Sequence, residues 1–205
     1  LGSKIKLDYL IYYTDSNTTK ATRETGEPFH AGNEGGGSAW WYYEALEDGM
    51  LVVEVIEGTF DTVSGAYLGD RLSNLNEIMS NDDNPDRDKT TDNLGFSKIK
   101  IPFVKGMVAH IAIDGFGGDK GVIYIKSEFI ATDVHKLTVK KSAQGSVDGI
   151  PLPYNQNSVR PYAYVGEAAP VTFKAIPNKG MLFQGWQGDI VSLENPLVLS
   201  VTEDI

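Results

Sequence analysis

Alternation of apolar and polar residues, cut into short runs by glycine, constrains this chain more than any other feature. Met50–Glu57 reads Met-Leu-Val-Val-Glu-Val-Ile-Glu and stops at Gly58, and Lys98-Ile99-Lys100-Ile101 alternates strictly. Val108–Asp114 is apolar on both sides, stops at Gly115, and is followed by alternation again in Gly121–Lys126. A period of two bounded by Gly, Asn, Asp and Pro is the signature of β-strands. Further strands are expected over 5–13, 38–46, 64–68, 74–79, 136–141, 170–176, 182–186 and 197–202. No window carries a sustained 3.6-residue period; residues 70–80 could hold one helical turn, and strand is the better reading there. Closely spaced strands without intervening helices imply an antiparallel sandwich, not a parallel α/β sheet. The expected fold class is therefore all-β: an antiparallel jelly-roll-like β-sandwich plus a small second β module. Gly117-Gly118-Asp119-Lys120-Gly121 reads as a hairpin turn between 107–114 and 121–129.

Charge divides the chain. Residues 1–133 hold 22 acids and 12 bases, and residues 134–205 hold 6 of each, so the net charge of −10 lies wholly in the first part. Six of the nine prolines follow position 150. A boundary near Thr132–Lys136 separates a sandwich over 1–133 from a second module over 134–205. The acidity argues against binding nucleic acid, whose affinity comes from basic groups that neutralise phosphates. No apolar run is long enough to insert a helix into a membrane. The absence of cysteine removes thiol catalysis, thiolate metal sites and disulfides.

Few residues carry chemistry. A nucleophilic hydrolase needs a Ser or Thr beside a base and an oxyanion hole, and no Gly-x-Ser-x-Gly occurs. Gly35-Gly36-Gly37 and Gly115–Asp119 lack the following helix and Lys-Ser/Thr of a phosphate loop. His110 sits within an apolar strand, where a hydrogen-bonded, half-buried histidine is expected; His30 lies in a Gly/Asn loop and is expected to be exposed. Asn81–Asn93 contains no large apolar residue and is expected as an exposed loop. In Trp40-Trp41-Tyr42-Tyr43, alternation sends Trp40 and Tyr42 to one face and Trp41 and Tyr43 to the other. Core packing is the plain reading; Trp40 and Trp41 are also candidate ligand-binding residues, as a stacking platform for sugar or peptide. Trp186, between Gly185 and Gly188, is expected to plug the core of the second module.

Six motifs occur in order: Thr25-Gly-Glu-Pro-Phe-His-Ala-Gly-Asn33, Gly36-Gly-Ser-Ala-Trp-Trp41, Gly58-Thr-Phe-Asp-Thr-Val63, Ala66-Tyr-Leu-Gly69, Ser80-Asn-Asp-Asp83 and Ile113-Asp-Gly-Phe-Gly-Gly118. Together they resemble the bacterial pre-peptidase C-terminal (PPC) type of domain over roughly residues 16–130. Residues 1–15 are unmatched and read as an N-terminal strand. The resemblance implies a non-catalytic jelly-roll-like sandwich appended to secreted or surface proteins. His135–Lys140, Val171–Gly180 and Phe183-Gln-Gly-Trp-Gln-Gly188 resemble the divergent internalin-type B-repeat. That repeat usually closes with a further strand beyond the position of Ile205, so the second module reads as truncated at its C-terminus.

Related sandwiches use loop carboxylates for calcium. The resemblance makes Glu27, Asp82 and Asp83 candidate ligands, with Asp61 and Asp114 behind them, so calcium is the one cofactor expected. The ladder of an EF-hand is absent, and a solvated acidic loop or Asx turns are the competing reading.

The expected function is a non-catalytic extracellular structural or adhesive segment of a larger bacterial surface or secreted protein. The expected partners are other domains of the same chain, a cell-surface or matrix protein or polysaccharide, and further copies of itself. The alternatives are a substrate-binding accessory domain of a secreted hydrolase, and a filament or surface-layer subunit assembling by strand addition. In the last, an open edge on the second module would receive residues 4–13 of another chain.

Overall fold

The computed structural model describes residues 5–7, 11–87, 94–149, 162–166 and 170–205. The chain divides into two compact units, Leu1–Ala131 and Thr132–Ile205.

Unit 1 is a sandwich of two sheets. One sheet has the order β1 (Ile5–Lys6), β3 (Ala39–Glu44), β8 (Val108–Gly115), β5 (Thr62–Leu68), β6 (Asn76–Asn81). The other has the order β2 (Ile11–Asn17), β9 (Val122–Ala131), β4 (Gly49–Gly58), β7 (Lys98–Phe103). Antiparallel pairs nest inside one another: β2 with β9, β3 with β8, β4 with β7 and β5 with β6. A long hairpin folded over on itself in this way is a jelly roll. Among the described strands β1 alone joins in parallel, Ile5 facing Trp41 and Lys6 facing Tyr42.

The alternation read from the sequence sets the layers. Leu51, Val53 and Val55 of β4 and Ile123 and Ile125 of β9 point into the space between the sheets, where Trp41, Tyr43, Ile111 and Phe103 meet them. Tyr43 stacks on Phe129 at 5.4 Å between ring centroids and meets Phe103 edge-on at 5.2 Å.

Two expectations fail here, and a third is met in part. Gly117–Gly121 is not a hairpin turn, because β8 and β9 belong to different sheets and the segment crosses between them. Local sequence cannot separate the two, since both need glycine to reverse the chain. In residues 70–80 the expected strand is present as β6, preceded by a short 3₁₀ turn at Leu72–Asn74. The segment 4–13 is not a free donor strand: Ile5–Lys6 and Ile11–Asn17 are already paired within unit 1, while 4 and 8–10 lie outside the described residues.

Unit 2 has a two-stranded sheet of β10 (Val134–Thr138) and β12 (Tyr162–Gly166), and a three-stranded sheet of β11 (Gly145–Asp148), β13 (Pro170–Pro177) and β14 (Leu197–Ser200). Residues 182–186 are irregular, not a strand; Trp186 makes a single bridge with Ser192. Its ring packs edge-on against Phe173 at 5.5 Å and Phe183 at 5.4 Å, and its indole N–H donates to the Glu194 carbonyl at 2.8 Å. Trp186 thus borders the small core without being fully enclosed by it. Ile205 donates to the Lys136 carbonyl and accepts from the Thr138 N–H, beside β10.

Candidate functional site

The outer face of the five-stranded sheet would carry Trp40, Tyr67, His110, Ala112 and Asp114 into solvent. The long connection from β2 to β3 covers it instead. Asp114 anchors one end of this cover: its carboxylate, fully buried, accepts from the backbone N–H groups of Gly36, Gly37 and Gly115. The triple glycine is explained by close approach. A Cβ on Gly35 would lie 2.0 Å from Asp114 Oδ2, and one on Gly36 2.8 Å from the Gly118 carbonyl.

The middle of the cover is a buried polar chain. The Tyr67 hydroxyl and His30 Nδ1 share a hydrogen bond at 2.7 Å, His30 Nε2 bonds Glu27 Oε1 at 3.3 Å, and the Tyr67 hydroxyl also donates to Glu77 at 3.5 Å. Ser38 donates to the same carboxylate, and Trp40 Nε1 donates to Ser38 Oγ at 2.7 Å. The Glu24 N–H binds the other carboxylate oxygen at 2.8 Å. The His30, Trp40 and Tyr67 rings pack 5.5–5.7 Å apart. His30 is therefore 1% exposed, not solvent-facing as its Gly/Asn surroundings suggest, because it fills the space above Tyr67. His110 is likewise nearly enclosed, beside Tyr67 in register.

A Ser, a His and a Glu in one buried cluster invite a catalytic reading, and the electrostatics weigh against it. Burial alone would raise the Glu27 pKa; the hydrogen bonds from His30, Ser38 and the Glu24 backbone outweigh burial and hold it at about 2. A carboxylate that weakly basic is poorly suited to take a proton from Ser38. Burial, with the charge of Glu77, raises the Tyr67 pKa and keeps its hydroxyl protonated as a donor.

The candidate platform residues are placed differently from the sugar-stacking reading. Trp41 is 1% exposed inside the sandwich core. Trp40 is half-buried, with its N–H bound to Ser38 and its ring against His30 and Tyr67. Sequence alternation separated the two tryptophans correctly but could not show that the β2–β3 connection covers the second face.

The five candidate calcium ligands divide into three groups. Glu27 is bound into the polar chain, and Asp114 by backbone N–H groups. Asp61, Asp82 and Asp83 come together at one end of the sandwich, each offering a carboxylate oxygen within 4.8 Å of the others. Asp61 ends the β4–β5 turn and the other two follow β6. Burial, reinforced by the charges of Asp82, Asp83 and Asp119, pushes Asp61 up to about 6. Its Oδ1 is buried with no hydrogen-bond partner among the described residues. Gly95, at φ +62°, lets the backbone pass close by: a Cβ there would sit 2.8 Å from Asp61 Oδ1 and from Asp83 Oδ1. Carboxylate oxygens are the hard donor type that Ca²⁺ takes, so these three residues are the ones that could hold such an ion.

Beside the trio, Asn84 is 4% exposed, which corrects the expectation of a wholly exposed loop over 81–93. It enters because its polar groups are satisfied: its backbone N–H donates to Phe96, its side-chain NH₂ to Glu54 at 2.9 Å, and its Oδ1 accepts from Asp86 N–H. Residues 88–93 lie outside the described residues. Beneath the trio, Thr62, Ser64 and Ser97 share buried hydroxyl hydrogen bonds of 3.0 and 2.6 Å that tie β5 to the start of β7. Isolated Ser and Thr in strands gave no sequence signal for this cluster.

No family model matches the chain, and no curated protein matches it.

Proposed function

We propose that the chain is a non-catalytic extracellular segment of a larger bacterial surface or secreted protein, serving spacing, adhesion or assembly. In this reading its first unit is of the PPC-like type and its second of the internalin B-repeat type. The observation that carries the reading is the Glu27 chain: the groups that catalysis would need are spent on fastening the β2–β3 connection to the sheet. Residues of a catalytic site commonly cost stability, and their replacement often raises it. Glu27→Gln separates the two cases. The structural reading expects a clearly lower melting temperature for unit 1; an unchanged or raised one overturns it.

Calcium belongs to this reading as a proposal: Asp61, Asp82 and Asp83 would hold one Ca²⁺ that relieves their mutual repulsion and ties the β4–β5 turn to the segment after β6. Melting with added Ca²⁺ and with a chelator tests it, because an ion bound only by the folded state raises the transition. Identical curves would remove the ion from the reading.

A substrate-binding accessory role on a secreted hydrolase is the second reading. Exposed tyrosines on the four-stranded sheet favour it.

A further inference from the structure

On the outer face of the four-stranded sheet the segment after β6 reaches over β4 and β7 through Asn84 and Asp86, while among the described residues the β2–β9 side is exposed. Tyr13 is 63% exposed, Tyr124 45%, Ile11 54% and Ile130 48%. Tyr13 faces Lys126, and Tyr124 faces Asp15. The two rings are therefore diagonal neighbours on adjacent strands, ~7–8 Å apart at their backbones. Such a spacing suits a short stretch of linked sugar rings, whose C–H faces pack on aromatic rings.

Next to the tyrosines, two rows cross the sheet: Tyr13–Lys126–Glu54–Lys98 and Ile11–Glu128–Val52–Lys100. Lys126 contacts Glu128 at 2.6 Å, Lys98 lies 3.6 Å from Glu54, and Lys98 and Lys100 reach Asp86 at 3.0 and 3.6 Å. A shallow groove of about 180 Å³ runs between these side chains over Val52. Lys98, Lys100 and Lys126 stand here among the carboxylates of Glu54, Glu128 and Asp86, and Asp15 and Glu57 flank Tyr124 in register, so both signs of charge are interspersed with carboxylates in excess. A strongly ionic partner of either sign would meet like charges: an anionic one the carboxylates, a cationic one the three ammonium groups. An apolar partner would have to strip water from the ion pairs, a cost their attraction does not reliably return. A neutral polyol matches the face: each hydroxyl can donate to a carboxylate or accept from an ammonium, and both are stronger than neutral hydrogen bonds.

We propose that this face binds a neutral polysaccharide, its rings stacked on Tyr13 and Tyr124 and its hydroxyls held by Lys126 and Glu128. The inference rests on the adhesive and accessory readings above and names the ligand class and the surface. Affinity electrophoresis of the full chain in gels containing hydroxyethylcellulose, xylan, mixed-linkage β-glucan or pullulan tests it. At least one gel should retard the chain. Tyr13→Ala/Tyr124→Ala should weaken that retardation about tenfold or more, with melting unchanged because both rings are exposed. Leu182→Ser, in unit 2, should leave it intact. Raising the salt should alter it less than about twofold, since the ligand is uncharged. The proposal falls if none of the four polymers retards the chain, if the double variant binds as well as the parent, or if salt removes the retardation. It also falls if sedimentation shows self-association that the double variant abolishes, which would make a second copy the occupant. A failed gel with the Glu27→Gln loss of stability intact removes this ligand face and leaves the structural reading standing.

Discussion

In unit 1, Leu51, Val53, Val55, Ile111 and Ile125 are sealed between two sheets; in unit 2, Leu182 is 88% exposed and Val191 and Leu193 each 81%. Among the described residues, the sandwich core holds twenty buried apolar side chains and the core of the second unit seven. Both units are made of alternating strands, so the difference lies in closure. The nested pairs of unit 1 give every strand a partner sheet to face. Sheets of two and three strands cover less, and a unit of this size has a correspondingly thin margin of stability. Unit 2 compensates with side chains that mimic backbone. Asn195 both donates to and accepts from Ala175 of β13, at 2.9 and 2.8 Å, as a neighbouring strand would.

The largest test of this contrast is a pair of core truncations followed by calorimetry. Trp41→Ala should cost unit 1 about 3–5 kcal/mol, and Phe173→Ala a similar amount in unit 2. The first should lower the melting temperature of unit 1 while leaving it folded at room temperature; the second should abolish the unit 2 transition. Equal outcomes would show that the two cores have similar reserves.

Glu27→Gln should come next, affecting unit 1 alone. A folded pKa of about 2 against an ordinary 4.5 corresponds to about 3 kcal/mol at neutral pH. Because the folded value is depressed, this stability is present above about pH 4.5 and is lost as pH falls towards 2. Parent and variant should therefore converge in acid; a gap that persists at pH 2 would deny the carboxylate its role.

Gly95→Ala should cost about 1–3 kcal/mol, since a side chain would be forced into a positive-φ conformation and against two carboxylates. The Asp61 charge acts in the opposite sense to Glu27. Its folded pKa is raised from 3.8 to about 6, so without metal its penalty is complete above about pH 6 and disappears as pH falls to about 4. Asp61→Asn should raise the metal-free melting temperature of unit 1 by a few degrees and abolish any stabilisation by Ca²⁺. A variant still stabilised by the ion would place the metal elsewhere. The smallest effect belongs to the exposed ladder: Lys126→Ala or Glu128→Ala should change stability by less than about 1 kcal/mol. A larger loss would mean that the open face holds the sandwich together.

The residues explain how far the sequence could be read. Trp41 and Tyr43 were separable from Trp40 and Tyr42 because successive side chains on a strand point to opposite faces. The β4 and β8 strands were legible because their neighbours in sequence are also their context. His30 was not, because it is buried by Tyr67, 37 residues away. The five acidic candidates were not separable either: Asp114 is satisfied by Gly37, 77 residues earlier, while Asp61 meets Asp82 and Asp83 only when β5 and β6 pair.

Composition and period alone determined an all-β chain without thiols, an acidic first part and a neutral second, and the inward and outward sides of its strong strands. Tertiary structure alone decided that β8 and β9 enter different sheets, that one outer face is roofed while the β2–β9 side of the other is exposed, and that three of five acids converge. The physical reason is range: alternation is a property of adjacent residues, whereas sheet pairing, burial and carboxylate repulsion arise between segments that meet only when the roll closes.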